Sequence, residues 1–251
     1  MRTSLKIGVI PAAGAGKRLG YLTHILPKTM FPLYDRPILH HIINRMEGLG
    51  ISDIYIIVNE FQEVIVEYCK RVQSKIKPNL HFIEQIPLDG TAGAILRVQQ
   101  LIKGTPFLTI YGDDCTISDS FQDMIDFFFR TQSVVVEAVI KDRRKSILRQ
   151  TCCVKLGKDN RILEIIEKPK DPPFFLRGCG VYLFRPEIFH HIRRTPVRPQ
   201  KKAREITYII DALAKQGNAY GFPLRGHNIN INNYDDLLEA NELVKRSQKA
   251  L

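Results

Sequence analysis

Short apolar runs alternate with amphipathic runs along the first 140 residues, and this alternation limits the folds open to the chain. Residues 7–10 and 54–58 are too short for helices and are predicted to be buried strands, whereas residues 38–49 have helical spacing and end at Gly50. Buried strands separated by helices favour a mostly parallel sheet covered on both faces. We therefore predict an α/β fold with a Rossmann-like, mostly parallel central sheet. The same region also contains predicted helices over 62–76, 91–101 and 121–130, and predicted strands over 80–83, 106–111 and 134–140.

The alternation of strands and helices ends at about residue 141, and short predicted strands then follow one another. Residues 151–156 and 162–167 are predicted strands separated by a Lys-Asp-Asn turn, and residues 180–184 form another. Helices are predicted over 206–215 and 235–247. The second half is therefore expected to add antiparallel strands to the sheet of the first half. We predict a single domain over 1–251 with two lobes, 1–140 and 141–251.

Composition excludes several classes of protein. Hydrophobic residues make up 44% of the chain, enough for a sizeable core, and no apolar run approaches the roughly 20 residues that cross a bilayer. We expect no membrane partner and, without an export signal, a cytoplasmic location. Five cysteines with no CxxC pair predict reduced thiols, not zinc or disulfides. The net charge of +11 suits phosphate-bearing ligands, but no RNA motif accompanies it, so we expect no nucleic-acid partner.

A glycine-rich turn directly follows the first predicted strand. Gly14 and Gly16 allow a close backbone approach to a phosphate, and Arg18 adds a cationic fork suited to phosphate oxygens. The turn is not a Walker loop, because GxxxxGK[ST] is absent. It is not a full dinucleotide fingerprint either, because GxGxxG would need glycine at position 19, which is leucine. The turn therefore indicates phosphate binding of another kind, especially since Pro27-Lys28 follows.

Three later segments carry groups suited to the same chemistry. Asp113 and Asp114 follow Tyr-Gly at the carboxyl end of a predicted strand, where a carboxylate can hold Mg²⁺. The segment over 85–94 has a glutamine amide able to pair with a base edge, and small residues that admit a flat ring. Glu167-Lys168 places a carboxylate for sugar hydroxyls next to an ammonium for a phosphate. Each segment alone is also explained as a turn, a helix start or a strand end.

In this order the motifs resemble those of the sugar-phosphate nucleotidyltransferase family, which includes glucose-1-phosphate thymidylyl- and uridylyltransferases. That family opens with GxGxRL, a spacer and PKxMxP; the chain has Gly-Ala-Gly-Lys-Arg-Leu over 14–19 and Pro-Lys-Thr-Met-Phe-Pro over 27–32. Gly-Thr-Ala-Gly-Ala, Gly-Asp, Glu-Lys-Pro and Gly-Val-Tyr-Leu-Phe follow in the family's order. The resemblance implies an enzyme that uses Mg²⁺ to join a nucleoside triphosphate to a sugar 1-phosphate, releasing pyrophosphate.

The resemblance also implies roles for residues at matching positions, with a nucleotide-binding lobe over 1–140 and a sugar-phosphate-binding lobe over 141–251. Arg18 would contact the triphosphate, Lys28 would stabilise charge at the α-phosphate, and Asp113 would hold Mg²⁺; these three are the expected catalytic residues. The expected nucleotide-binding residues are Ala12, Ala13, Gly14, Gly16, Gln85, Gly90 and Thr91. The expected sugar-phosphate-binding residues are Glu167, Lys168, Cys179 and Gly180.

The second metal position departs from the pattern of many relatives, which end with Trp-x-Asp-x-Gly-Thr-Pro. Asn230 stands where that aspartate would be, and Asn232-Asn233 resembles the Asn-Asn version of N-acetylglucosamine-1-phosphate uridylyltransferases. An amide oxygen can ligate Mg²⁺, although it carries no charge. We expect Asn230 or Asn232 as the second metal ligand, with a polar turn before the last helix as the plainer alternative.

Other functions stay open at this point. A cytidylyltransferase acting on a non-sugar phosphate, such as a phosphorylated amino alcohol, would share the phosphate turn, the lysine and the aspartate. A non-catalytic sugar-nucleotide sensor would suit the weaker second metal position. The sugar and the base are undecided, and a homo-oligomer is left open.

Overall fold

The computed structural model describes residues 5–14, 16–59, 62–196 and 203–249, and within them a nine-stranded mixed sheet forms the centre of the molecule. The strands are β1 (Ile7–Pro11), β2 (Pro32–Leu33), β3 (Arg36–Pro37), β4 (Asp53–Val58), β5 (Asn79–Glu84), β6 (Phe107–Ile110), β7 (Asp114–Ile117), β8 (Val135–Lys141), β9 (Cys152–Leu156), β10 (Ile162–Glu167), β11 (Leu176–Phe184), β12 (Ala219–Pro223) and β13 (His227–Asn230). The helices are α1 (Ile38–Gly48), α2 (Gln62–Val72), α3 (Thr91–Leu96), α4 (Phe121–Thr131), α5 (Lys145–Leu148), α6 (Ile188–Arg194), α7 (Ile206–Ala214) and α8 (Tyr234–Lys249), with 3₁₀ turns at Lys17–His24, Lys28–Met30 and Gln73–Lys75.

The N-terminal part of the sheet is parallel. β1 lies between β4 and β6, β4 pairs with β5, and all three pairs are parallel. The chain moves outward from β1 to β4 and β5, then returns to the other side of β1 as β6. The direction of winding reverses between β1 and β6, and in open α/β sheets ligands bind in the crevice beyond the carboxyl ends of such strands.

The C-terminal half adds antiparallel strands, as the sequence predicts. β11 pairs antiparallel with β6, β8 and β9, and β9 pairs antiparallel with β10. The α/β class with antiparallel additions is thus confirmed. One continuous sheet runs through both predicted lobes, and the division into lobes remains a prediction.

Two hydrophobic clusters cover the opposite faces of this sheet, because side chains alternate along each strand. On β1, Ile10 belongs to the cluster that includes residues of α1, α4 and α8, whereas Val9 belongs to the one that includes residues of α3, α6 and α7. The five cysteines are buried and free. Among the described residues, no helix is long and apolar enough to cross a membrane.

Several elements are missing from the sequence-based prediction. β7 and β13 pair as a separate antiparallel ribbon, with Asn230 opposite Asp114. Helix α6 (Ile188–Arg194) is also absent from that prediction. Predicted helix 91–101 is α-helical only to Leu96 and continues as turns. The strand expected from residue 180 begins earlier, at Leu176, because Gly178 and Cys179 continue the extended backbone.

A buried arginine links β11 to the β7–β13 ribbon. Arg177 is 2% exposed and donates to Asp142 Oδ2 at 3.2 Å and to the side-chain and main-chain oxygens of Asn228, both at 2.6 Å.

We expect Arg177→Met to lower the free energy of unfolding by about 3–5 kcal/mol, because it leaves Asp142 buried with fewer partners. Urea denaturation measures the change. The exposed Arg225, paired with Asp119 and Asp123, is the control: Arg225→Met should lower the free energy of unfolding far less, and equal losses would contradict the prediction.

Candidate active site

Two cavities meet beyond the carboxyl ends of β1 and β6. The first cavity encloses about 440 Å³ and is walled by the turn after β1, by Lys28 and by part of segment 85–94. The second cavity encloses about 200 Å³ and is walled by residues 150–152, Glu167, Lys168 and part of β11. Six residues line both cavities, and we call them the shared wall: Arg18, Thr91, Tyr111, Asp113, Glu205 and Asn232.

The turn after β1 is anchored at its start and opens onto the first cavity. Ala12 N donates to the Ile57 carbonyl, and the Ala13 carbonyl accepts from Asn59 Nδ2 at 2.7 Å. Gly16 has φ +60°, a conformation that favours glycine. Ala15, part of the predicted motif, lies outside the described residues. Four predicted nucleotide-binding residues of this turn line the first cavity: Ala12, Ala13, Gly14 and Gly16.

Lys28 and Asp113 form an ion pair between the 3₁₀ turn at Lys28–Met30 and the loop after β6. Lys28 opens a one-turn 3₁₀ helix after Pro27, and its Nζ lies 2.6 Å from Asp113 Oδ2. Gly112 N donates to the Pro11 carbonyl, which ties the end of β6 to the end of β1. Arg18, exposed on the shared wall, donates to Gln150 Oε1 at 3.3 Å. All three predicted catalytic residues therefore lie around the junction of the cavities.

Asp114, next to Asp113, has a different environment. It is 2% exposed, and its carboxylate accepts from Thr116 Oγ1 and, at 2.5 Å, from Asn228 Nδ2. Burial raises the pKa of the Asp114 carboxyl to about 7. Its oxygens are used within the β7–β13 ribbon, so Asp113 is the aspartate that the cavities can use.

The β7–β13 ribbon brings the predicted second metal ligands beside Asp113. Ile231 N donates to the Asp113 carbonyl at 2.9 Å, and Asn230 Nδ2 lies 3.4 Å from Asp113 Oδ1. Asn232 Nδ2 donates to Asn230 Oδ1 at 2.6 Å. Asn230 therefore contacts the Asp113 carboxylate directly, and Asn232 reaches it through Asn230.

The predicted base-binding segment forms one side of the first cavity. Gln85 is 5% exposed, and its Nε2 donates to Asp89 Oδ1 and to the Gly90 carbonyl. The amide N–H groups therefore form hydrogen bonds within the loop 85–90. The amide oxygen Oε1 makes no hydrogen bond in that loop and could accept one from a base. Gly90 has φ +95°, and a Cβ there would lie 2.6 Å from the Arg204 carbonyl. Thr91 Oγ1 donates to Glu205 and accepts from Ile206 N at the start of α7.

The predicted sugar-phosphate residues Glu167, Lys168 and Gly180 line the second cavity. Glu167 Oε2 accepts from Thr207 Oγ1 at 2.8 Å, and Lys168 Nζ lies 3.3 Å from Glu167 Oε1. The lysine side chain is about half exposed, at 47%, so its ammonium can turn toward a ligand. The cavity thus offers a fixed carboxylate beside a mobile cation.

Cys179 requires a correction, because the structure does not place its side chain in either cavity. It is 1% exposed and belongs to the hydrophobic cluster on the face covered by α1 and α4. Its neighbours Gly178 and Gly180 line the second cavity, and side chains alternate along a strand. The thiol therefore points away, and Cys179 is left out of the candidate site.

Several lining residues escape the sequence-based prediction. Glu205 and Thr207 flank the start of α7, and Tyr111 directly precedes the Gly-Asp motif. A polar residue before an apolar helical run signals a helix start, but not that it faces a cavity. Only the position of Tyr111 beside a known motif could have identified it. Gln150, Thr151 and Cys152 also line the second cavity without any signal in the sequence, and Tyr182 lies in the Gly-Val-Tyr-Leu-Phe motif without a predicted role.

Comparison with known proteins gives a consistent result. The family model described as Nucleotidyl transferase matches residues 7–247. The bifunctional protein GlmU of Methanocaldococcus jannaschii is 34% identical over 236 residues, covering 94% of this chain and 53% of the relative. The mannose-1-phosphate guanyltransferase of Saccharomyces cerevisiae is 27% identical over 255 residues, covering 97% of this chain and 67% of the relative. The chain spans about half the length of the GlmU relatives it matches.

Solved structures share the fold. The crystal structure of UDP-glucose pyrophosphorylase complexed with UDP-glucose superimposes with a TM-score of 0.85 at 22% identity. The match covers 97% of this chain and 99% of that one. The sheet and its antiparallel additions are therefore an arrangement known from experiment.

Proposed function

The chain belongs to the nucleotidyl transferase family, and on that premise we propose that it transfers a nucleotidyl group from a nucleoside triphosphate to a sugar 1-phosphate, giving a nucleotide sugar and pyrophosphate. The observation that carries the proposal is the shared wall, with the Lys28–Asp113 ion pair at its edge. Two ligands, one in each cavity, would meet there. A cytoplasmic location, where nucleoside triphosphates are abundant, goes with this proposal.

The first cavity suits the nucleotide. Its glycine turn offers backbone close to phosphates, Arg18 offers a cationic fork, and Gln85 and Gly90 border a space for the base. The names of the relatives point the same way, since one is a mannose-1-phosphate guanyltransferase and a structural neighbour binds UDP-glucose. The base itself differs between them, so either a purine or a pyrimidine is compatible with the proposal.

The second cavity suits a sugar 1-phosphate. Glu167, fixed by Thr207, can accept hydrogen bonds from sugar hydroxyls, and Lys168 can neutralise the phosphate. Glu205 on the shared wall adds a second acceptor. These carboxylates would also attract the ammonium of a phosphorylated amino alcohol, which keeps that substrate as the second candidate.

The residues around Asp113 fit Mg²⁺. Mg²⁺ is usually held by one or two carboxylates with substrate phosphates and water, and Asp113 supplies one carboxylate. A half-turn of the Asn230 amide would direct its oxygen toward Asp113, so we propose Asn230 as the second ligand. A matching half-turn of the Asn232 amide would let its oxygen accept from Asn230 Nδ2 and so keep a hydrogen bond between the two side chains. Within the described part of the chain, no group of three His, Cys, Asp or Glu residues could hold a metal. Metal binding would therefore depend on the nucleotide phosphates.

The chemistry requires alignment and charge neutralisation. A sugar phosphate oxygen attacks the α-phosphorus, the bond between the α-phosphorus and its bridging oxygen to the β-phosphate breaks, and pyrophosphate leaves. The attacking oxygen is already an anion, so no general base is needed. When bound, Mg²⁺ would neutralise phosphate charge. Lys28 would stabilise charge that develops at the α-phosphate, and Arg18 would hold the triphosphate in line.

A substrate matrix tests the proposal. ATP, CTP, GTP, UTP and dTTP are each combined with several sugar 1-phosphates and with phosphocholine, and released pyrophosphate is measured. We expect release only with a sugar 1-phosphate, abolished by EDTA and restored by excess Mg²⁺. If pyrophosphate is released with phosphocholine and with none of the sugar 1-phosphates, the protein is a cytidylyltransferase-type enzyme that acts on a phosphorylated amino alcohol. Tight binding of a nucleotide sugar without turnover on any acceptor would identify a sensor and refute the proposal.

A further inference from the structure

A carboxyl group lies buried behind the wall of the second cavity. Glu137 on β8 is 0% exposed and is paired across the ladder with Tyr182 of β11. Its Oε1 accepts from the Cys152 thiol, with 3.4 Å between Sγ and Oε1, whereas Oε2 has no hydrogen-bond partner among the described residues. Buried polar atoms nearly always have partners, so this exception needs an explanation.

Gly178 makes room for this carboxyl–thiol pair. A Cβ built on Gly178 would collide with Glu137 Oε1 and lie 2.5 Å from Cys152 Sγ. Cys152, Gly178 and Tyr182 all line the second cavity, and we call these three the cavity floor. The carboxyl of Glu137 therefore lies directly behind the floor, in space that only a glycine leaves open.

The surroundings of Glu137 favour its neutral form. Burial raises the pKa of its carboxyl to about 8, and the nearby negative charge of Glu167 on β10 acts in the same direction. The other elements packed against it present the Cys152 thiol of β9, the Tyr182 hydroxyl of β11 and, on β12, the uncharged Gly221. Within the described residues, no ion pair joins it to a cation. Burial also raises the pKa of the Cys152 thiol, so that thiol stays protonated and can donate.

We propose that Cys152 is a specificity-determining residue of the second cavity and that Glu137 is the positioning residue that holds its thiol. The proposal rests on the proposed function, in which this cavity receives the sugar 1-phosphate. Because the thiol hydrogen is donated backward to Glu137, the sulfur offers the cavity only a weak acceptor. Because the Glu137 carboxyl fills the space behind Gly178, the cavity floor cannot move back to make room for a larger ligand. The cavity therefore accepts a hexose 1-phosphate with hydroxyl groups at the floor and rejects a bulkier acylamino substituent there.

Two cysteine variants test the selectivity. Wild-type protein, Cys152→Gly and Cys153→Gly are compared on glucose 1-phosphate and N-acetylglucosamine 1-phosphate with a saturating nucleoside triphosphate. Cys153 is the matched control, because it is the next residue on β9, is fully buried, and donates instead to the Leu148 carbonyl. We expect Cys152→Gly to shift the ratio of the two kcat/KM values by about tenfold or more toward the acylamino sugar. Cys153→Gly should leave the ratio unchanged.

A third variant tests the positioning role of Glu137. Glu137→Gln keeps the shape but cannot ionise, whereas the wild-type carboxyl is neutral below about pH 8 and becomes negative above it. Between pH 7 and pH 9 we expect the wild-type KM for the sugar phosphate to rise several-fold, because a negative charge forms behind the floor. The KM of Glu137→Gln should stay flat, and the KM for the nucleoside triphosphate should not differ between the two. A purely structural role would lower thermal stability without separating these profiles.

The outcomes are distinguishable. An unchanged sugar ratio in Cys152→Gly overturns the role of Cys152, and identical pH profiles overturn that of Glu137. If Cys152→Gly fails to fold, Cys152→Ala should give a smaller shift in the same direction, and no shift overturns the proposal. If none of the sugar 1-phosphates supports pyrophosphate release by the wild-type protein, the proposed function is refuted, and the proposed roles of Cys152 and Glu137 are refuted with it.

Discussion

We expect the Asp113→Asn protein to show a kcat about a thousandfold below wild type, because the substitution removes the carboxylate that would hold the metal ion. Asparagine keeps the size and one oxygen, but not the charge that lies 2.6 Å from Lys28 Nζ. Pyrophosphate release at saturating substrate measures kcat. A titration with Mg²⁺ should also show a higher concentration for half-maximal activity.

The neighbouring aspartate provides the control. Asp114→Asn makes the same chemical change one residue away, at a carboxyl whose pKa burial raises to about 7. Its oxygens serve Thr116 and Asn228, so we expect kcat near wild type and a free energy of unfolding lower by about 1–3 kcal/mol. If Asp114→Asn lost turnover and Asp113→Asn kept it, the assignment of the two aspartates would be reversed.

Replacing Lys28 with alanine should lower kcat about a hundredfold while leaving the KM for the nucleoside triphosphate nearly unchanged. The lysine side chain is 9% exposed and paired with Asp113, and in the proposed reaction it would stabilise charge that develops in the transition state, so its effect should be concentrated there. Initial rates over a range of nucleotide concentrations separate kcat from KM.

Lys168→Ala is the matched lysine change in the second cavity. Its ammonium is half exposed and adjoins Glu167, so we expect a higher KM for the sugar phosphate with kcat little changed. A Lys28→Ala protein whose only defect was a raised KM would contradict a role in the transition state. The double variant of Lys28 and Asp113 should lose less than the product of the single losses, because the two act as one unit.

The sequence was sufficient to predict the parallel half of the sheet and the residues at its carboxyl edge. Short apolar runs separated by helical runs specify β1, β4, β5 and β6 through local pattern alone. Once β1 and β6 are adjacent, the turn after β1 and Asp113 after β6 must approach each other. Arg18 and Asp113 therefore line the same wall, whereas the role of Lys28 beside them was implied by the resemblance to the family and not by the local pattern.

The β7–β13 ribbon could not be predicted in this way. Asn228 and Asp114 are 114 positions apart, and each strand has four residues with mixed polarity, too few for a periodic signal. The pairing depends on the buried side chain of Arg177, which ties β13 to β11. Long-range polar contacts of this kind leave no trace in local spacing, so the sequence alone left Asn230 and Asn232 as alternatives.

The error at Cys179 has a different origin. A motif gives the positions of residues along a strand but not which face each side chain occupies. Cys179, Val181 and Leu183 pack in one hydrophobic cluster, and Tyr182 and Phe184 pack in the other, so alternation along β11 turns the thiol away from the cavity. The register between β11 and β8 also shifts between Gly178 and Tyr182. The same shift sets Tyr182 beside Glu137, whose burial no local pattern anticipates.

The shared wall also bears on how such an enzyme could diversify. The six residues that line both cavities would face both ligands, whereas the loop holding Gln85 borders only the first cavity and Cys152 only the second. Mutations on one side can therefore accumulate without disturbing the other. Descendants of one ancestral gene could exchange the base while keeping the sugar, or the sugar while keeping the base, and natural selection would meet these as two separately heritable traits.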